Sequence, residues 1–528
     1  MLVLRFFRCS LVVSLLIGIS GVCHAQQQPF AIPGQPIGNN GNNQGQNGLQ
    51  GGGNDADFDS LIDLIISTVA PETWAEAGGG EAEIRPFVSG VYVDAEGTLQ
   101  RLVPRPDSQL VALRREARLG QQPPLAAAGD ARRPTQLRCV SLVRLERELA
   151  RRLTAGEPLD EAMLALAGLR RIEYVFLFPA TKDQPGDLAI AGPAGDWQAT
   201  EGRLLARNGN AQEGAVVRLD DLIEILRHTA NGSPNFGCTI NPRQKELAEA
   251  QSYINAAAAK PLPPGAKQRK KWLEAIRSRV GKQDVEFFDI DPSSRVAQVI
   301  IDADHHMKLI GMGLEKGVVG VESYLDSIDP RSGNIPAFGV MRWWFAMNYA
   351  AVRGTESKDG FQIVGPGAKV LSENQLLTEQ GQRVPTGKSD ELTAQFAASF
   401  TTHFATLCKK YPVYSELRNV FDLALVTTLM HDQQLFQRAG WTPSLFTDSG
   451  SLPLPRYRTP KTVETVANHR LINRSQIVAG VSGGVSVAPR RVLQTKSQPA
   501  GNAYGPLTRH DGQPPADLAA TAWWWDVQ

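Results

Sequence analysis

Apolar residues along the chain fall into two periodicities, and each predicts its own kind of element. After Asp59, a residue type suited to capping a helix, Leu61, Leu64, Ile65 and Val69 share one helical face. Past the glycines at 78–80, IRPFV and GVYVDAEGTLQRL read as strands, the second turning at Glu96 and Gly97. Leu142, Leu145, Leu149 and Leu153 recur every three or four residues while Arg144, Glu148, Arg151 and Arg152 take the other face, which predicts an amphipathic helix. A second helix is expected around 161–166, ending at Gly168. The unbroken apolar run IEYVFLF at 172–178 predicts a buried strand, 187–192 its sheet partner, and 219–228 another helix. Residues 298–303 read as a strand feeding a helix over 307–314. Leu392, Phe396, Phe400, Phe404, Leu407 and Tyr411, then Leu417, Val420, Phe421, Ala424 and Thr428 beyond Pro412, predict a helical hairpin packed by aromatics.

These elements predict a mixed α/β (α+β) protein. A small helix-hairpin module occupies 55–103, a central mixed-sheet domain 135–255, and a second α/β domain 269–493, with the helical hairpin at 390–432 inside it. The remaining stretches lack periodicity: an Arg/Pro/Ala-rich linker at 104–134, a Pro-rich joint at 256–268 and a polar tail at 494–528. That tail ends in Trp523, Trp524 and Trp525, which either dock on the body or form a sticky terminus. Residues 26–54 carry no charge, and from Gly38 to Asn54 every residue but Leu49 is Gly, Asn or Gln. Such a tract buries too little apolar surface to offset chain entropy and reads as a disordered tether.

Ahead of it, Arg5 and Arg8 precede an apolar run at 11–19, and small residues lead to Ala25. This is the three-part pattern of a secretory signal peptide, 1–25, with cleavage expected between Ala25 and Gln26. Val22 stands where lipidation of Cys23 wants Gly or Ala. The run is too short to anchor in a bilayer, and no later segment is apolar enough to make a transmembrane helix in the mature chain. The expected location is periplasmic or extracellular. With 55 Lys and Arg against 54 Asp and Glu, nothing electrostatic favours a nucleic acid or an anionic membrane. Export also implies an oxidising compartment. Of the three cysteines after residue 25, Cys139 and Cys238 are expected to form a disulfide, and Cys408, on a helical pattern, to be a small buried hydrophobe.

Four constellations bear on chemistry. Residues 480–484 fit G-x-S-x-G around Ser482, but alternating Val485 and Val487 follow where a nucleophile elbow needs a helix, so a glycine hairpin between strands is expected. Residues 381–389 resemble a phosphate-binding loop with one residue too many and Pro385 inside it; Ser389 before Asp390 and Glu391 reads instead as a helix cap. Asp302, Asp304, His305 and His306 are the densest group of candidate metal ligands, and on a strand Asp302, Asp304 and His306 share a face. The competing reading has Asp304 cap the following helix, with the others at a solvated strand end. Asp183, Asp187 and Asp196 beside Trp197 offer either an acid-and-aromatic binding platform or ordinary turn chemistry.

The motif P-E-T-W at 71–74 with its glycine run resembles a short module of exported bacterial proteins, some of them secretin-like. RRIEYVFLFPATKD, DLAIAGPAGDW, VVRLDDLIEILR and GCTINP, followed by RVAQVIIDADHHMKLIGMGLE, MRWWF, LSENQLLTEQG, YPVYSELRNVFDLALV and VAGVSGGV, resemble a family of exported planctomycete-type proteins known as domain of unknown function 1598. The likeness runs over most of 139–487. It implies an exported α/β protein and supplies no catalytic residue. The expectation is therefore a non-enzymatic binding or scaffold protein of the cell envelope, with no cofactor and an envelope or extracellular partner. The alternative is a metal-assisted envelope hydrolase using Asp302, Asp304 and His306.

Overall fold

The computed structural model describes residues 83–87, 90–94 and 130–527, the last range without 183–184, 201, 259–265, 329–337, 379, 381, 473–474, 501–512, 516–517 and 520. The expected signal peptide, the tether at 26–54, the helix from Asp59, the turn at Glu96 and Gly97, and most of the linker at 104–134 lie outside these residues. Strands β1 (Glu83–Phe87) and β2 (Gly90–Asp94) pair as an antiparallel hairpin.

Two large sheets and a small meander organise the rest. The seven-stranded sheet contains β3 (Thr135–Ser141), β4 (Tyr174–Phe178), β5 (Asp187–Ala194), β12 (Ala351–Gly354), β13 (Gly360–Val364), β19 (Ser497–Pro499) and β20 (Trp524–Asp526), in the order β19-β12-β13-β4-β5-β3-β20. Strands β6 (Trp197–Thr200), β7 (Arg203–Asn208) and β8 (Ala211–Ala215) form the meander. The eight-stranded sheet takes β9 (Phe236–Pro242), β10 (Lys282–Phe288), β11 (Phe338–Asn348), β14 (Gly367–Leu377), β15 (Arg383–Pro385), β16 (Thr462–Glu464) and β18 (Ser475–Val487), with β17 (Ala467–Ile472) paired to the first half of β18. Both large sheets draw strands from 135–255 and from 269–493, and one hydrophobic cluster joins Ile190 and Ile363 of one sheet to Ile240 and Trp343 of the other. The two segments therefore share their sheets and their core.

The helices are α1 (Leu142–Ala155), α2 (Glu161–Leu164), α3 (Leu219–Ala230), α4 (Gln244–Ala258), α5 (Ala266–Val280), α6 (Arg295–Gly311), α7 (Glu391–Thr402), α8 (Phe404–Lys410), α9 (Pro412–Asp432), α10 (Leu435–Arg438), α11 (Ser444–Thr447) and α12 (Pro489–Lys496). The mixture of helices and sheets is the α/β class expected. Helix α1 starts where Ser141 Oγ accepts the Arg144 N–H at 3.0 Å and stops at Gly156, whose φ of 66° is a left-handed cap. Pro412 opens α9, and residues from Val413 to Met430 are almost all buried because the helix packs against α3, α6, α8 and α12 and against β8 and β14. It is the central post of the fold.

Three expectations are corrected by packing. Residues 298–303 are not a strand: they belong to α6, whose first turn is capped by Ser294 Oγ accepting the Ala297 N–H at 3.1 Å. Val296, Ala297, Val299, Ile300, Ile301, Ala303, Met307 and Ile310 are all buried, so the helix has too little wet surface to show a 3.6-residue rhythm. Residues 480–484 are not a turn either but the middle of β18, and the β17–β18 turn falls at 473–474, outside the described residues. A Cβ on Gly483 would stand 2.3 Å from Asp304 Oδ1 and 2.7 Å from the Trp343 carbonyl, so the glycine is there to admit α6.

The third correction concerns the disulfide. Cys139 on β3 lies opposite Trp525 and Ala191 in the seven-stranded sheet, whereas Cys238 on β9 lies opposite Phe287 and Val485 in the eight-stranded one. Both thiols are free and buried, as is that of Cys408, and burial pushes all three upward, Cys408 to about 11. The C-terminal tryptophans dock: β20 adds an edge strand to β3, and the buried Arg138 guanidinium holds Asp526 through two bonds of 2.6 and 2.9 Å beneath the Trp524 ring.

Candidate functional site

Because α6 is helical, successive side chains turn by about 100°, so Asp302 and Asp304 face opposite ways. Asp304 points into the sheet, where its carboxylate takes Lys308 Nζ at 2.6 Å and the Gly484 N–H at 2.7 Å. Lys308 also reaches Gln283 Oε1 at 3.5 Å, and Gln283 Nε2 donates to the Val481 carbonyl at 2.8 Å. This fully buried pin ties α6 to β18 and β10. The N-cap role considered for Asp304 belongs to Ser294. His306, one turn from Asp302, has its ring 4.5 Å from that of Tyr411 and its Nδ1 2.7 Å from the Tyr414 hydroxyl. Burial lowers both His305 and His306 to about 4, so both imidazoles are neutral at physiological pH. Asp304 thus leaves the face that Asp302 and His306 share, and among the described residues no cluster of three or more His, Cys, Asp or Glu has metal-holding geometry.

Asp302 instead joins a buried charge network drawn from α3, α6, α9 and β7. Arg295 donates to Asp221 and, at 2.7 Å, to Glu416; Arg203 lies 3.4 Å from Glu416 and 3.6 Å from Asp302; Arg218 grips Asp220 at 2.7 and 2.8 Å. Four carboxylates thus meet three guanidiniums. Burial pushes Asp302 to about 7 and Asp221 to about 6 against the pull of those guanidiniums, whereas Arg218 holds Asp220 down despite its burial. The network braces the helices.

The other constellations are structural. Ser482 is buried, 3.4 Å from the Met341 carbonyl. The helix cap at the phosphate-loop-like segment is Asp390, one residue beyond Ser389, accepting the Thr393 N–H at 2.8 Å, while Ser389 Oγ meets Ser372 Oγ at 2.8 Å. Asp187 accepts Ser141 Oγ at 2.5 Å and pairs with Arg144 at 3.2 Å. Trp197 is buried under the Arg132 guanidinium, which itself pairs with Asp196 at 2.7 Å, so no exposed acid-and-aromatic platform forms there. Asp183 lies outside the described residues.

Sequence reasoning missed a groove of about 370 Å3 lined by the outer side of α1, by Ala180, Pro185 and Gly186, and by the loop at 439–445, a size suited to a small ligand. Val143, Ala150, Pro185, Trp441 and Leu445 give it apolar walls. Its buried carboxylate, Glu146, accepts Trp441 Nε1 at 2.5 Å and the N–H groups of Leu445 and Phe446 at 2.7 and 3.2 Å, which fixes the 439–446 loop against α1. Trp441 packs its ring against Phe436 and Phe446, at 5.6 and 6.1 Å between centroids. The opposite loop is tied across by the Ala180 N–H donating to the Arg438 carbonyl at 3.2 Å. Three chain segments meet here without a shared motif. One signal existed: Arg147 has Val143, Arg144, Ala150 and Arg151 at its helical neighbour positions, and so no acid to pair with on α1.

Residues 238–324 match the family model described as protein of unknown function (DUF1598). The chain resembles that family. The DUF1598 match runs from Cys238 on β9 through α4, α5, β10 and α6 to Tyr324, a shorter span than the 139–487 expected from sequence. It includes Asp304, Lys308 and Gln283 of the buried pin, and neither Gly484 nor the groove. No curated protein and no solved structure matches the chain.

Proposed function

We propose that this DUF1598-like chain is an exported, non-enzymatic binding protein of the cell envelope, and that the groove beside Trp441 takes its ligand. The supporting observation is the groove's construction. Its walls are apolar and braced, and its carboxylate has both oxygens committed to fixed donors, leaving it unsuited to act as a base. The signal-peptide pattern at 1–25 supports export.

Titrating the mature chain, labelled at tryptophan indole nitrogen, with small apolar acids, alcohols and amines tests the site. The Trp441 resonance, assigned with Trp441→Phe, is expected to move with at least one of them, and Ala150→Trp, which fills the groove, to abolish the response. A Trp441 signal unmoved by every compound overturns the site. Export is read by intact mass: a secreted form beginning at Gln26 agrees, and one retaining Met1 does not.

A further inference from the structure

We infer that the groove selects a monoanion carried on an apolar body, an aromatic or aliphatic carboxylate, with Arg147 as the residue that reads the charge. This rests on the groove being the ligand site. Helix α1 carries four arginines, and three are committed: Arg144 to Asp187 at 3.2 Å, Arg151 to Glu148 and Glu157 at 2.8 and 2.9 Å, and Arg152 to Glu148 at 3.0 Å. Arg147 is exposed, lines the groove and has no ion-pair partner among the described residues.

Glu146 is the one carboxylate among the groove's described lining residues. Its two oxygens are engaged by the Trp441 indole and two backbone N–H groups, so it offers a ligand no free acceptor, and Arg147 is the lining residue left to answer a ligand's charge. What a ligand meets is a largely apolar trough with the hydroxyls of Thr442 and Ser444 and one cation, Arg147, among its described lining residues. A guanidinium there offers two parallel donors to a carboxylate, while Val143, Ala150, Pro185 and Leu445 offer nothing polar in return. A cationic ligand meets Arg147 as a like charge. A dianion leaves one charge against apolar surface with no partner.

The test uses three probes of one shape: 3-phenylpropionate, 3-phenylpropan-1-ol and 3-phenylpropylamine, titrated into the mature protein with the Trp441 indole as reporter. The acid is expected to bind roughly fivefold to tenfold tighter than the alcohol, and the amine most weakly. Added salt should narrow the gap between acid and alcohol. In Arg147→Gln the gap is expected to close while alcohol binding persists, and because Arg147 is exposed the variant should unfold as the wild type does. An acid that binds no tighter than the alcohol, or a preference that survives Arg147→Gln, overturns the charge reading and leaves the groove standing as a site. If none of the three probes moves Trp441, the site reading fails, and this inference with it.

Discussion

Replacing Lys308 by Met removes the cation from a pair in which both side chains are essentially inaccessible to water. Met keeps most of the lysine's apolar stem, so the change isolates the charge. Asp304 is then left with the Gly484 N–H as its one remaining donor, in a site where burial already works to raise its pKa and Lys308 is the largest opposing influence. Breaking a buried pair in this way costs about 3–5 kcal/mol. Since Asp304 escapes part of that penalty by taking up a proton, the loss should be greatest at pH 8 and shrink as the pH is lowered. Adding Asp304→Leu removes the stranded carboxylate. It leaves the Gly484 N–H and Gln283 each short of a partner, at about 1–3 kcal/mol for each buried group left unsatisfied. The double variant should therefore be more stable than Lys308→Met alone. Urea unfolding followed by tryptophan fluorescence, with circular dichroism checked for coincident transitions, measures both effects. A cost below about 1 kcal/mol for Lys308→Met, or a double variant no more stable than the single, would refute the idea that this pair pins α6 to the sheet.

The Asp302 carboxyl, held at about 7 in the fold, binds its proton more tightly folded than unfolded, so its contribution is complete below about pH 4 and is lost as the pH rises through 7, on the order of 4 kcal/mol in all. Asp302→Asn should flatten the stability profile between those limits and be the more stable protein at pH 8; an unchanged slope in denaturant unfolding from pH 4.5 to 8 contradicts this. Cys139, Cys238 and Cys408 should all react with a thiol reagent under non-reducing conditions once the mature chain is unfolded, and scarcely at all before. A peptide mass joining any two of them would show that the separation of Cys139 and Cys238 onto different sheets is wrong.

Helix α1 could be read from the sequence because one of its faces is wet, while the structure supplied its limits, a serine cap before it and a glycine cap after it. The apolar run at 172–178 could be read because a strand inside a sheet has no wet face to interrupt it, and the aromatic spacing of 392–428 because those rings pack on one another. The helix carrying Asp302 gave no such sign. With neighbours on nearly every side it buries charged residues such as Arg295, Asp304 and Lys308 along with its apolar ones, so no wet face sets a helical rhythm, and its β-branched run suits a strand equally well. Whether Gly483 makes a turn or admits a helix depends on α6, which arrives from nearly two hundred residues earlier in the chain. Likewise Cys139 and Cys238 looked like a pair until their strands entered different sheets, and Trp197 looked like a platform until Arg132 covered it. The Trp441 groove needed α1, the residues Ala180, Pro185 and Gly186, and the 439–445 loop in one place. Local rhythm records only which side of an element meets water; which distant segment covers the other side is decided by packing, and the corrected residues all lie where that cover comes from far along the chain.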